Sequence, residues 1–190
     1  MKKVVYIIPG FTENTFSSKY QKIMKFFRSR NITPIPINIS WKRRTMSHYT
    51  QEFLKQYQGR NGEVYVFGFS FGAMIALITS PIIKPKLLIL CSLSPYFKED
   101  LAYIKKAWKR GIGKRRFEDF RKYSFNTLSK KVKSKMILIR GGEEVSQVKR
   151  RVKDAHKKLR GSKLILIKGA KHNLAQEEYR EALQKIISNL

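Results

Sequence analysis

Carboxylates are scarce in this sequence: 13 Asp and Glu, only three of them Asp, stand against 41 Lys and Arg, for a net charge of +28 at pH 7. So unbalanced a surface attracts polyanions, which keeps nucleic acid and anionic membrane among the candidate partners. Cysteine is nearly absent. The single Cys91 excludes an internal disulfide, and its place in the run Leu87-Leu88-Ile89-Leu90-Cys91 predicts a buried, reduced thiol and a cytoplasmic protein. No apolar stretch approaches the ~20 residues of a membrane-spanning helix. The opening run 4–8, behind Lys2 and Lys3, imitates a signal peptide but stops at Pro9-Gly10, short of the ~7–15 residues of an h-region, and reads instead as a buried strand. Also missing are a His/Cys/Asp/Glu cluster with metal-ligand spacing, a P-loop, internal repeats, low-complexity tracts and linkers. The chemistry is therefore expected to need no metal and no cofactor.

What is present is a 190-residue chain, 42% hydrophobic, which predicts one domain over 1–190 with a substantial core. Its organising stretch is Val64-Tyr65-Val66-Phe67-Gly68-Phe69-Ser70-Phe71-Gly72-Ala73-Met74. A β-favouring run ends at Gly68 and a helical apolar run follows Gly72, so Ser70 falls on the turn between them. Glycines two residues before and after leave room where a strand reverses sharply into a helix, and such a turn pushes the serine hydroxyl clear of the sheet. A serine that merely caps the helix is the plainer reading of the same residues.

Strand-like runs at 2–8, 34–39, 64–69, 86–91, 135–140 and 163–167 alternate with helical patterns, which predicts a parallel sheet of about six strands covered on both faces. Pro34 and Pro36 place the second run at a sheet edge. Asn14 or Thr15 is suited to cap the first helix, and Pro81 and Pro85 mark the turn ahead of 86–91. The rhythm breaks over 96–130, where Tyr96, Phe97, Tyr103, Trp108, Phe117, Phe120, Tyr123 and Phe125 lie among Lys and Arg. Leu101, Ile104 and Trp108 share one helical face, so two short amphipathic helices are expected around Gly111 and Gly113, forming a cap. A plain helical connection, or bases and aromatics that touch nucleic acid, are the alternatives. Basic charge is densest here: residues 98–135 hold 14 basic and 4 acidic residues.

In a parallel sheet the loops after the strands meet at one edge, so Ser70, the carboxylates after the fifth strand and His172 after the sixth are brought together. With Gly68-Phe69-Ser70-Phe71-Gly72, Gly141-Gly142-Glu143-Glu144 and Gly169-Ala170-Lys171-His172-Asn173 in that order, the chain resembles the α/β-hydrolase family over nearly its whole length. The resemblance implies Ser70 as nucleophile, His172 as general base, and Glu144, with Glu143 as the alternative, orienting the histidine. It also implies an oxyanion hole from the backbone N–H groups of Phe71 and Phe11. The chain departs from the family in beginning at what would be the third strand and in using Glu where Asp is commoner. His48 and His156 fall within helical patterns and are read as surface or packing residues.

The resulting expectation is a serine hydrolase acting on a small-molecule carboxylic ester or thioester, with amide cleavage a weaker possibility. Inward aromatics favour an apolar acyl group, and the basic surface favours an anionic leaving portion. The rival is a binding protein that keeps the fold and uses its basic surface for nucleic acid or anionic membrane.

Overall fold

The computed structural model describes residues 2–59 and 62–190. Six strands, β1 (Lys3–Ile8), β2 (Ile32–Pro36), β3 (Glu63–Phe69), β4 (Leu87–Cys91), β5 (Lys135–Gly141) and β6 (Lys163–Ile167), form one sheet in the order β2-β1-β3-β4-β5-β6. Every pairing is parallel. The central β3 and β4 are covered on both faces, which is why they read as continuous apolar runs rather than as alternating ones. Helices α1 (Ser18–Arg28), α2 (Met46–Gln56), α3 (Phe71–Ile83), α4 (Lys106–Ile112), α5 (Lys114–Phe120), α6 (Phe125–Ser129), α7 (Ser146–Lys158) and α8 (Glu177–Ser188) complete the chain, with a 3-10 turn at Lys98–Tyr103.

Alternate strand residues feed two cores. Val5, Ile7, Tyr65 and Phe67 pack with Tyr20 and Phe27 of α1 and Tyr179 and Leu183 of α8. On the other face Tyr6, Ile8, Val66 and Leu90 pack with Phe53 of α2, Met74 of α3, Val152 of α7 and the aromatics of the 96–130 segment. After β1 the chain moves outward to β2; after β3 it moves the opposite way. The reversal therefore lies between β1 and β3, and the crevice outside their C-terminal ends is where such sheets place ligands.

Local details depart from the sequence expectations for identifiable reasons. The edge strand starts at Ile32, two residues early, because Ile32 pairs in register with Lys3. Helix α1 begins only at Ser18, with Ser17 at its cap position; Asn14 instead turns its side chain to accept from the Phe16 N–H at 3.1 Å. Pro81 lies inside α3 rather than ending it. A proline has no N–H for the carbonyl one turn back, and the Ser80 hydroxyl supplies the missing donor to Leu77 O at 2.8 Å.

Residues 101, 104 and 108 do not share one helix. The turn Lys98–Tyr103 closes on the Asp100 carboxylate, which accepts from Phe97 N–H and pairs with the buried Arg151 at 3.2 Å, and α4 starts anew at Lys106. The break between α4 and α5 falls at Gly113, while Gly111 stays helical. Cys91 is buried and its thiol is pushed up by burial, then by the Glu144 charge. Among the described residues no helix is long and apolar enough to cross a membrane.

Candidate active site

Ser70 sits between β3 and α3 at φ +55°, ψ −114°, a conformation a non-glycine residue holds only when its surroundings impose it. The imposition is steric. A Cβ at Gly72 would lie 2.2 Å from the Ile8 carbonyl oxygen, and one at Gly68 would lie 2.4 Å from that of Gly72. Only glycines let β1, β3 and the first turn of α3 approach this closely. Ser70 N–H is tied to Cys91 O at 2.8 Å, so the turn is pinned to β4 as well.

The Ser70 hydroxyl lies 3.0 Å from Nε2 of His172, and Nδ1 of the same ring lies 2.7 Å from Oε2 of Glu144. Their loops are laced together by Gly142 N–H to Ile167 O at 2.7 Å and Glu143 N–H to Ala170 O at 2.9 Å. The ring of His172 packs on Phe69, centroids 4.9 Å apart. Of the two adjacent glutamates, Glu144 is buried and faces the imidazole, whereas the Glu143 side chain is exposed. His48 caps α2 through Thr45 and His156 meets Ser162, both away from this cluster.

Two hydroxyls absent from the sequence reading complete the arrangement. Ser92, fully buried and at φ +53° just past β4, donates to Oε1 of Glu144. Tyr179 of α8 also donates to Oε1, at 3.2 Å, and contacts the Ser92 hydroxyl. Burial opposes the Glu144 charge, but the hydrogen bond and charge of His172, then the bond from Ser92, outweigh it and hold the carboxyl below its ordinary value. The pair of serines after a buried strand, Ser92 and Ser94, was the available sequence signal. Nothing in a local pattern marked Tyr179.

A carboxyl lowered in the folded state stabilises the fold above its unfolded value, and that contribution disappears as pH falls through the folded one. Urea midpoints of the wild type should therefore fall more steeply below about pH 4.5 than those of Glu144→Gln, with equal slopes counting against the assignment.

The loop after β1 provides the opposite wall. Gly10 N–H donates to Tyr20 OH at 2.8 Å and to Glu13 at 3.2 Å, which fixes the backbone just before Phe11. Phe71 N–H opens α3 and has no carbonyl one turn back to bond. The rings of Phe11 and Phe71 stack, centroids 4.8 Å apart, so the two amides belong to residues in contact. A cleft of about 350 Å³ opens here, walled by Phe11, Phe71, Tyr96, Trp108, Ile112 and Val148 and reaching Ser70 and His172. Glu13 is its one ionisable carboxylate, and no Lys or Arg lines it. Among the described residues no cluster of His, Cys, Asp or Glu is able to hold a metal ion.

This sheet order, with a strained serine turn at the reversal point, defines the α/β-hydrolase fold, and the chain has that fold. Among solved structures it is similar to Est1E from Butyrivibrio proteoclasticus at TM-score 0.83 and 13% identity, covering 100% of this chain and 89% of that one. A second structure of that protein holds ferulic acid. Mouse alpha/beta hydrolase domain-containing protein 10 aligns at TM-score 0.73 and 14% identity over 100% and 89% of the two chains. Dienelactone hydrolase from Anabaena variabilis aligns at 0.71 and 15% over 99% and 84%. By sequence, no family model and no curated protein matches the chain.

Proposed function

We propose that this chain is a serine hydrolase that cleaves a carboxylic ester or thioester through an acyl-enzyme. The observation carrying the proposal is the relay Ser70 Oγ to His172 Nε2 at 3.0 Å and His172 Nδ1 to Glu144 at 2.7 Å, placed at the mouth of an apolar cleft. Ser70 attacks the acyl carbon while His172 takes its proton. The oxyanion is met by the N–H groups of Phe71 and Phe11. His172 returns the proton to the leaving alcohol or thiol, then activates water to release the acid. Glu144, held by Ser92 and Tyr179, keeps the imidazole oriented and stabilises its charged form.

The 96–130 segment acts as a cap, a reading supported by Tyr96, Trp108 and Ile112 lining the cleft. Walls of this kind suit an apolar or planar aromatic acyl group, and the ferulic acid bound to Est1E makes aromatic esters a sensible arm of a substrate panel. Any anionic leaving portion must be met outside the cleft, since no Lys or Arg lines it.

If Ser92 and Tyr179 act through Glu144, Ser92→Ala is expected to lower kcat about tenfold at unchanged KM, the loss of one hydrogen bond to a charged group, with Tyr179→Phe losing less. A changed KM at constant kcat in ester kinetics would reject that role.

The deciding experiment is labelling of wild type and Ser70→Ala with a fluorophosphonate, read by intact mass. A single adduct in wild type, absent from the variant, supports the hydrolase. No adduct in folded wild type, with polyanion binding indifferent to Ser70, is the signature of the rival binding protein.

A further inference from the structure

A hollow larger than the catalytic cleft lies elsewhere on the molecule. It measures about 620 Å³, lies between the Lys98–Tyr103 turn, the start of α6 and one flank of α7, and shares no lining residue with the cleft. Its carboxylates are already engaged. Glu99 accepts from Ser124 Oγ at 2.6 Å and from the N–H groups of Phe125 and Asn126 at 2.8 and 3.1 Å, so its charge is used at the opening of α6. Asp154 pairs with Arg151 at 2.5 Å and with Lys158 at 3.4 Å, and Asp100 pairs with Arg151 from behind.

The cations exceed what these acids neutralise. Arg150, Lys153 and Lys157 project from one face of α7 into the hollow, and among the described residues none of the three forms an ion pair with a carboxylate. Seven residues of helix set the outer two about 10 Å apart. Arg150 is held in place, its guanidinium lying 3.2 Å from the centroid of the Tyr103 ring, which lowers the entropy cost of using it. Beneath them Arg151 is only 3% exposed; its Nε faces Asp100 at 3.2 Å and its Nη2 faces Asp154, which leaves Nη1 as the buried guanidinium nitrogen without a partner. A merely solvated basic face has neither the concavity nor the buried, under-satisfied guanidinium.

We infer that this hollow binds a small molecule carrying a chain of two or three phosphates. The length of the basic row matches such a chain. A nucleic acid strand fits less well, because strand binding draws on open aromatic faces, and Tyr103 is the one aromatic here and already carries Arg150. The site is independent of the hydrolase reading and gives part of the +28 charge a located role.

The test is calorimetric titration of the full chain with sodium tripolyphosphate at about 50 and 300 mM salt, repeated with ATP and with a short single-stranded RNA. Three variants accompany the wild type: Lys153→Glu/Lys157→Glu in the hollow, Lys22→Glu/Lys25→Glu on α1 across the sheet, and Ser70→Ala. Their thermal midpoints verify folding. Single-site binding of tripolyphosphate and ATP, weakened at least ~10-fold by the hollow pair, at most ~2-fold by the α1 pair, and unchanged in Ser70→Ala, is expected. Equal losses in the two charge-reversed pairs would reduce the effect to diffuse charge and overturn the site. Absence of saturable tripolyphosphate binding overturns it too, and RNA binding alone would reassign the face to nucleic acid.

Discussion

Ser70→Ala is expected to lower ester turnover on the order of 10⁵ to 10⁶-fold while leaving the fold intact, on the precedent of nucleophile removal in serine hydrolases. The size follows from geometry. Among the described residues the hydroxyl is the one group hydrogen-bonded to His172 Nε2, at 3.0 Å, and the neighbouring Ser94, 3.2 Å from Ser70 Oγ, has no such contact with the imidazole. Stability should change by less than about 1 kcal/mol, because the lost hydroxyl is part-exposed and leaves no buried charge without a partner. His172→Ala should cost a similar factor, and the double variant little more, since the residues act as a unit. Hydrolysis of a series of short p-nitrophenyl esters reads the effect. A Ser70→Ala enzyme within tenfold of wild type would end the acyl-enzyme proposal.

Gly72→Ala is expected to be among the most damaging single methyls in the chain, in the same class as Gly141→Ala. Its Cβ would meet Ile8 O at 2.2 Å and Pro9 O at 2.6 Å, and both are backbone atoms that no rotamer change moves aside. Nor is β1 free to retreat, since it is paired on one side with β2 and on the other with β3, where Ile8 stands opposite Gly68. The cost should be roughly 4 kcal/mol or more, a large share of the ~5–15 kcal/mol that stabilises an ordinary domain. Gly111→Ala is the matched control. A Cβ there meets nothing within 4 Å, and replacing a helical glycine by alanine stabilises by ~0.5–1 kcal/mol. Urea unfolding of the two variants should move in opposite directions. A Gly72→Ala protein as stable as wild type would mean that the serine turn is not packed as described.

Most of the architecture was legible because it rests on local periodicity. Apolar runs bounded by Gly and Pro marked the strands, the prolines of β2 marked an edge, and the change of period around Ser70 marked the turn. Where the reading slipped, a contact outside the local window intervened. Ile32 joined β2 through Lys3, Ser80 rescued the carbonyl freed by Pro81, and Arg151, some fifty residues away in sequence, drew Asp100 into a tight turn that ended the expected helix.

By itself the sequence determined the strand succession, the parallel sheet and the chain order of Ser70, the adjacent Glu143 and Glu144, and His172, because each follows from side-chain pattern along a few residues or from the direction in which strands must run. Choosing between adjacent Glu143 and Glu144, recruiting Ser92 and Tyr179 to the chosen carboxylate, and gathering Arg150, Lys153 and Lys157 around a hollow rather than on an open face were decided only by the tertiary structure. The physical reason is range. Hydrogen bonds and ion pairs act over about 3 Å, and side chains 52 or 35 positions apart in the chain come within that distance only once the sheet has set the loops beside one another.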